Sequence, residues 1–155
     1  MCVNAEHDIW AQGHEEMALD YQSRGLVTFA ADEFLDAAKY YKLDKNHSKA
    51  RKMYDSAAKI YEREALRFQG LGAHKEAATH LESAAECYFK ATDYVRAIGA
   101  YRQAYSEWVL AADEYDAVGR NEDGDVYIES AIKCNDKAVD IQELLTLQTD
   151  NRLAE

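Results

Sequence analysis

A chain of 155 residues, 48% hydrophobic and 30% charged, can bury one core without disulfide or metal staples. Its net charge of −11 opposes nucleic-acid binding, which needs clustered Lys and Arg against phosphates. No apolar run approaches the ~18 residues of a membrane span, and the start, Met1 to Asp8, lacks the basic and apolar regions of a signal peptide; a cytoplasmic address, peripheral to membranes at most, is expected.

Proline is absent, so the usual helix breaker is missing and long helices are expected. Shifting the chain by 47 residues against itself lays Leu81–Asp93 on Ile128–Asp140, Cys87 on Cys134, Ala50 on Ala97, Tyr54 on Tyr101 and Tyr61 on Trp108. Three copies result, about 3–49, 50–96 and 97–143, with a tail at 149–155, all within a single domain 1–155. Inside each copy the pattern Ala-x-x-x-apolar-x-x-Ala recurs from Ala30, Ala50, Ala77 and Ala97, with weaker versions at Val3 and Gly124. Those offsets fall on one stripe of a 3.6-residue period, so every copy reads as two amphipathic helices. In chain order they are placed near 5–23, 29–43, 47–69, 74–91, 94–118 and 123–148.

The first helix carries His7 and His14, two turns apart and too distant to ligate one ion without a third group. It ends at Gly25, which the repeat aligns with Gly72 and Gly119, each preceded four residues earlier by Tyr21, Phe68 or Tyr115; left-handed turns are expected at all three. The turn that follows, Leu26-Val27-Thr28-Phe29, is apolar, whereas its counterparts read Ala73-His74-Lys75-Glu76 and Arg120-Asn121-Glu122-Asp123. Leu26, Val27 and Phe29 are candidates for a shallow contact with a membrane or partner. The plainer reading, which the sequence favours, is a hydrophobic staple or a cover over the first hairpin.

The third helix is introduced by Asn46 and the fifth by Asp93, both suited to cap orphan amides. Charge is segregated along the chain: residues 1–46 sum to −5, 47–75 to +4 and 76–155 to −10. On the third helix Ala50, Tyr54, Ala57, Ala58, Tyr61, Ala65 and Phe68 form the inward stripe, which leaves Lys52, Lys59 and Arg63 on the other side. These three are candidate partner-binding residues for an acidic protein helix; a solvated face is the plainer alternative.

Catalytic and metal motifs are missing. None of His7, His14, His47, His74 or His80 has a Glu three residues before it, and surface or end-cap histidines are expected. The acidic run 121–125 fails as a calcium loop, because aligning Gly124 puts Gly119 and Ser130 at the first and last ligand positions. No phosphate loop, nucleophile elbow or HExxH is present. Cys2, Cys87 and Cys134 are odd in number and far apart, so reduced thiols are expected, the latter two as small core residues. The sequence therefore points to a non-enzymatic binding protein with no cofactor, metal or small-molecule substrate.

The phrase from Ala84-Ala85-Glu86-Cys87-Tyr88 through Ala97-Ile98-Gly99-Ala100-Tyr101 to Ala104 resembles tetratricopeptide repeats. A 47-residue unit, in place of about 34 with a terminal proline, is more similar to the soluble NSF attachment proteins of that class. The resemblance implies an all-α, right-handed α–α superhelix and an adaptor in intracellular protein transport that grips a helical bundle of membrane-fusion proteins. It also implies a membrane-touching loop between the first two helices, the place of Leu26, Val27 and Phe29, and an acidic, leucine-bearing C-terminal end facing a hexameric ATPase. Here that end, Leu144-Leu145-Thr146-Leu147 to Leu153-Ala154-Glu155, has leucines and acids but no firm match. Two rivals remain open from the residues: a small acidic chaperone for an exported client, and a helical-bundle metal protein or enzyme.

Overall fold

The structure, a computed structural model, describes residues 3–153; Cys2, with the other terminal positions, lies outside the described residues. Those residues form six helices and no strand: α1 Val3–Ser23, α2 Val27–Leu43, α3 His47–Gly70, α4 His74–Lys90, α5 Tyr94–Ala117 and α6 Asn121–Leu153. Each helix packs on its neighbours in sequence, α1 on α2 through to α5 on α6, which is the layout of an α–α solenoid.

One backbone device makes all five turns. Gly25, Gly72 and Gly119 have φ of 75°, 69° and 75°, as expected, but Lys45 and Thr92 also sit in the left-handed region, at 58° and 62°. At every turn the amide three positions past the helix reaches back to an aromatic carbonyl: Leu26 to Tyr21, Asn46 to Tyr41, Ala73 to Phe68, Asp93 to Tyr88 and Arg120 to Tyr115, at 2.8–2.9 Å. A second amide closes beside it, as from Gly72 to Gln69, which completes the Schellman motif. The next helix starts at once. Asn46 and Asp93 accept from the amides of Lys49 and Arg96 at 3.2 and 3.1 Å, satisfying orphan donors.

Alanine sets the spacing between helices. Ala11, Ala18, Ala30, Ala57, Ala58, Ala84, Ala97 and Ala104 are fully buried and let the axes approach closely. Phe34, Ile60, Leu81 and Ile98 fill between them, each contributing about 1.5–3 kcal/mol by burial. Gly124 belongs to the same logic, because a Cβ there would stand 3.0 Å from Asp116 Oδ1 and 3.3 Å from the Ala112 carbonyl on α5. Half-buried aromatics, among them Tyr21, Tyr40, Tyr61 and Tyr94, pack against this seam.

The last helix departs from the repeat. Ala138-Val139-Asp140 occupy the register of Asp44-Lys45-Asn46 and Ala91-Thr92-Asp93, yet the helix runs through to Leu153 and takes in most of the expected tail. With 33 residues it is about 50 Å long. Ala138 and Ile141 are buried at 1% and 6% exposure, so continuing the helix covers apolar surface that a turn would have left open.

Candidate functional site

The inward stripe of α3 is buried as its spacing requires, with Ala50, Tyr54, Ala57, Ala58 and Ala65 in the core and Tyr61 and Phe68 half-buried. Lys52, Lys59 and Arg63 are exposed on the other side. Lys59 pairs with Asp55 at 2.6 Å, and Asp55 also takes Arg96 of α5 at 3.1 Å. One repeat earlier the same bridge is Asp8 of α1 with Lys49 of α3, at 3.3 Å. These partly exposed pairs link α1 to α3 and α3 to α5 and add little to stability.

Lys59 and Arg63 border a groove of about 230 Å³ between α1 and α3, with Glu15, Leu19, Gln22 and Met53 as other walls; Lys52 is not among its lining residues. Leu19 is 54% exposed, so the groove offers apolar surface beside two cations. Glu15 is held by the Tyr41 hydroxyl at 2.7 Å. Such a surface can seat a protein helix or peptide that brings both apolar and acidic side chains.

The apolar turn divides into two parts. Val27 is half-buried against the core, whereas Leu26 is 37% and Phe29 58% exposed. A staple joins the residue before the cap to the fourth helical position. Leu26 is itself the cap residue and Gly25 precedes it, so the expected staple does not form. Phe29 leans instead on Tyr21, ring centroids 5.7 Å apart.

Of the histidines expected at the surface or at helix ends, His47 is exposed at the first position of α3 and His74 opens α4, whereas His14 and His80 are partly buried within their helices. His14 Nδ1 lies 2.6 Å from Glu33 Oε2, and His74 Nδ1 lies 2.7 Å from Glu107 Oε2, with side-chain exposures of 20% and 24%. Gln69 donates to the other Glu107 oxygen at 2.8 Å, so this carboxylate joins α3 and α5 at the start of α4. His80 is stacked on Phe68 at 5.2 Å, and burial lowers its pKa. These rings became partly buried because each lies at a seam between helices, which a single-helix pattern does not show. Among the described residues no group of three or more His, Cys, Asp or Glu is arranged to hold a metal ion.

Cys87 and Cys134 occupy equivalent core positions at 3% and 1% exposure, and burial pushes both thiols up to about 12. Neither is poised as a nucleophile. Sequence reading missed the carboxylates facing these seams. Tyr88 donates to Glu62 at 2.6 Å, and Trp108 Nε1 donates to Glu82. The available signal was a constant separation of 26 residues, shared by Glu15 and Tyr41.

No helix among the described residues is long and apolar enough to cross a membrane. Among curated proteins none matches this chain. Residues 21–143 match the family described as soluble NSF attachment protein, SNAP, over all of α2 to α5 and the packed part of α6. The chain belongs to the soluble NSF attachment protein family.

Proposed function

We propose that this chain is an adaptor that holds a helical bundle or peptide of a partner protein against the surface of α1 and α3, in a membrane-trafficking step. Family membership supports the adaptor reading at its coarse level. The observation that carries the finer one is the basic, partly apolar groove at Lys59 and Arg63, with exposed Lys52 on the same helix, in a chain of net charge −11. Opposite charge steers association and sets register, and its effect falls as salt rises. Recognition is the whole of the chemistry. Exposed Leu26 and Phe29 add a shallow peripheral contact with a membrane, next to Tyr21.

Co-elution of the purified chain with a membrane-fusion helical bundle tests the partner. The native chain should co-elute at low salt and separate as salt is raised, and the triple variant K52E/K59E/R63E should fail to co-elute. Equal binding by that variant would remove this surface from the account. Liposome flotation of native chain against Phe29→Ser tests the membrane contact, and equal flotation would delete it.

A further inference from the structure

Two adjoining cavities open where α2 and α4 finish and α3 and α5 begin. The smaller, about 360 Å³, is bounded by Lys42, His47, Arg51, Lys90 and the rings of Tyr54 and Phe89. The larger, about 680 Å³, continues from it past Thr92 and Tyr94 to the final turns of α6, where Leu145 and Arg152 close it. Arg51 belongs to both. Together they make one cleft, walled on its far side by the part of α6 that overruns the repeat.

What distinguishes this cleft is the convergence of cations from several helices. Along the solenoid Lys49 pairs with Asp8, Lys59 with Asp55, Arg67 with Glu64, Arg96 with Asp55 and Asp93, and Lys137 with Glu86, while among the described residues Lys52 and Arg63 of α3 stay unpaired like the cations of the cleft. Among the described residues Lys42, Arg51, Lys90 and Arg152 make no ion pair, although four different helices bring them to one cleft. Asp93 is the carboxylate on its walls, and it is already engaged by the Arg96 amide at 3.1 Å and the Arg96 guanidinium at 3.3 Å.

Helix polarity separates these cations. Lys42 and Lys90 stand in the last turns of α2 and α4, where a positive charge complements the exposed carbonyls. Arg51 stands near the start of α3, whose first turn has no acidic residue, so it adds positive charge to the end that already carries it. An incoming anion relieves both. The floor offers more than charge: Lys90 Nζ lies 5.9 Å from the Tyr54 ring centroid, and Phe89, 40% exposed, tilts against Tyr94 at 5.6 Å. A bare ion would leave that apolar wall unused.

We propose that this cleft binds a short acidic segment of a partner protein, its carboxylates on Arg51, Lys90, Lys42 and Arg152 and an aliphatic side chain against Tyr54 and Phe89. That a protein supplies the segment rests on the adaptor reading, but the cleft lies apart from Lys52, Lys59 and Arg63.

The test is fluorescence anisotropy of the full chain with a fluorescein-labelled peptide, Glu-Leu-Asp repeated three times. Binding at ~50 mM salt should weaken at least about tenfold at ~500 mM. The R51E/K90E variant should bind at least about tenfold more weakly and R51Q/K90Q should fall in the same direction, both with native circular dichroism, while K59E/R63E stays within about twofold of native. Equal binding by R51E/K90E, or an equal loss in K59E/R63E, would overturn the proposal. So would displacement of the peptide by inorganic phosphate at matched charge, or capture of phosphatidylserine vesicles through Arg51 and Lys90 without peptide binding. If the peptide binds here while the helical bundle ignores Lys52, Lys59 and Arg63, the α1–α3 surface fails and the cleft stands. The converse removes the cleft alone.

Discussion

Tyr88 donates its hydroxyl to Glu62 Oε2 at 2.6 Å, and one repeat earlier Tyr41 donates to Glu15 Oε2 at 2.7 Å, each pair spanning 26 residues and joining the two helices of a hairpin. Both rings are buried, at 1% exposure. In the third copy Val109 and Asn135 stand at these positions, so the first two hairpins carry a polar lock that the third lacks. Removing one hydroxyl leaves a half-buried carboxylate short of its donor, which costs about 1–3 kcal/mol. Tyr41→Phe and Tyr88→Phe should each lower the urea midpoint, and Asn135→Ala should leave it within error.

Alkali should unfold the chain earlier than its acidic composition alone would suggest. Burial raises Tyr41, Tyr54, Tyr88 and Tyr101 above the ordinary tyrosine range, and it pushes Tyr61, Cys87 and Cys134 to about 12. A raised folded pKa means that the folded state holds its proton after the unfolded chain has released it. The stability contributed by these groups is complete below their unfolded values, about 8.5 for Cys and 10 for Tyr, and is lost as pH rises toward the folded ones. Melting temperature followed by circular dichroism should be flat from about pH 7 to 8 and fall steeply above pH ~9. A Cys87→Ala/Cys134→Ala variant should begin its fall about one pH unit later.

Turn geometry supplies a paired prediction of opposite sign. Gly72 sits at φ 69° with nothing within 4 Å of a built Cβ, so Gly72→Ala meets no neighbour and its cost is a backbone one. A side chain in the left-handed region costs about 1–2 kcal/mol, partly offset by the lower entropy of the unfolded alanine chain. Thr92 is β-branched and already occupies that region at φ 62°. Thr92→Gly should stabilise by about 1 kcal/mol and Gly72→Ala should destabilise by a similar amount, or roughly 2–4 °C each in a melt.

The sequence made the solenoid readable because alanine and aromatic spacing repeats and because three glycines punctuate it. Starts at His47, His74 and Tyr94 agree with the periodicity, and the ends of α1 to α5 differ by at most a residue, whereas α6 runs five residues past its expected end at 148. Lys45 and Thr92 were not legible as left-handed, since their residue types argue against it; what marks them is a tyrosine four residues earlier, Tyr41 and Tyr88, whose carbonyl takes the returning amide. The exposed side of α3 was legible from one helix alone. The cleft at Arg51 was not, because its walls come from the ends of α2 and α4, the starts of α3 and α5, and the far end of α6. The Tyr–Glu pairs were hidden for the same reason, each partner being ordinary on its own helix.

The continued α6 divides into a packed part and a wall. Ile141 is 6% exposed and lies beside Phe89 and Tyr101, so its side chain belongs to the core although it follows the register at which the earlier helices turn. Leu147, six residues on, is 64% exposed. Truncating a buried isoleucine removes transfer energy and leaves a void, about 2–5 kcal/mol, whereas an exposed leucine changes stability by about 0.5 kcal/mol or less. Ile141→Ala should therefore shift the urea midpoint strongly and Leu147→Ala hardly at all. If the two shift it equally, the segment beyond Asp140 packs as a continuous core element, and a wall that can be altered without loss of fold is ruled out.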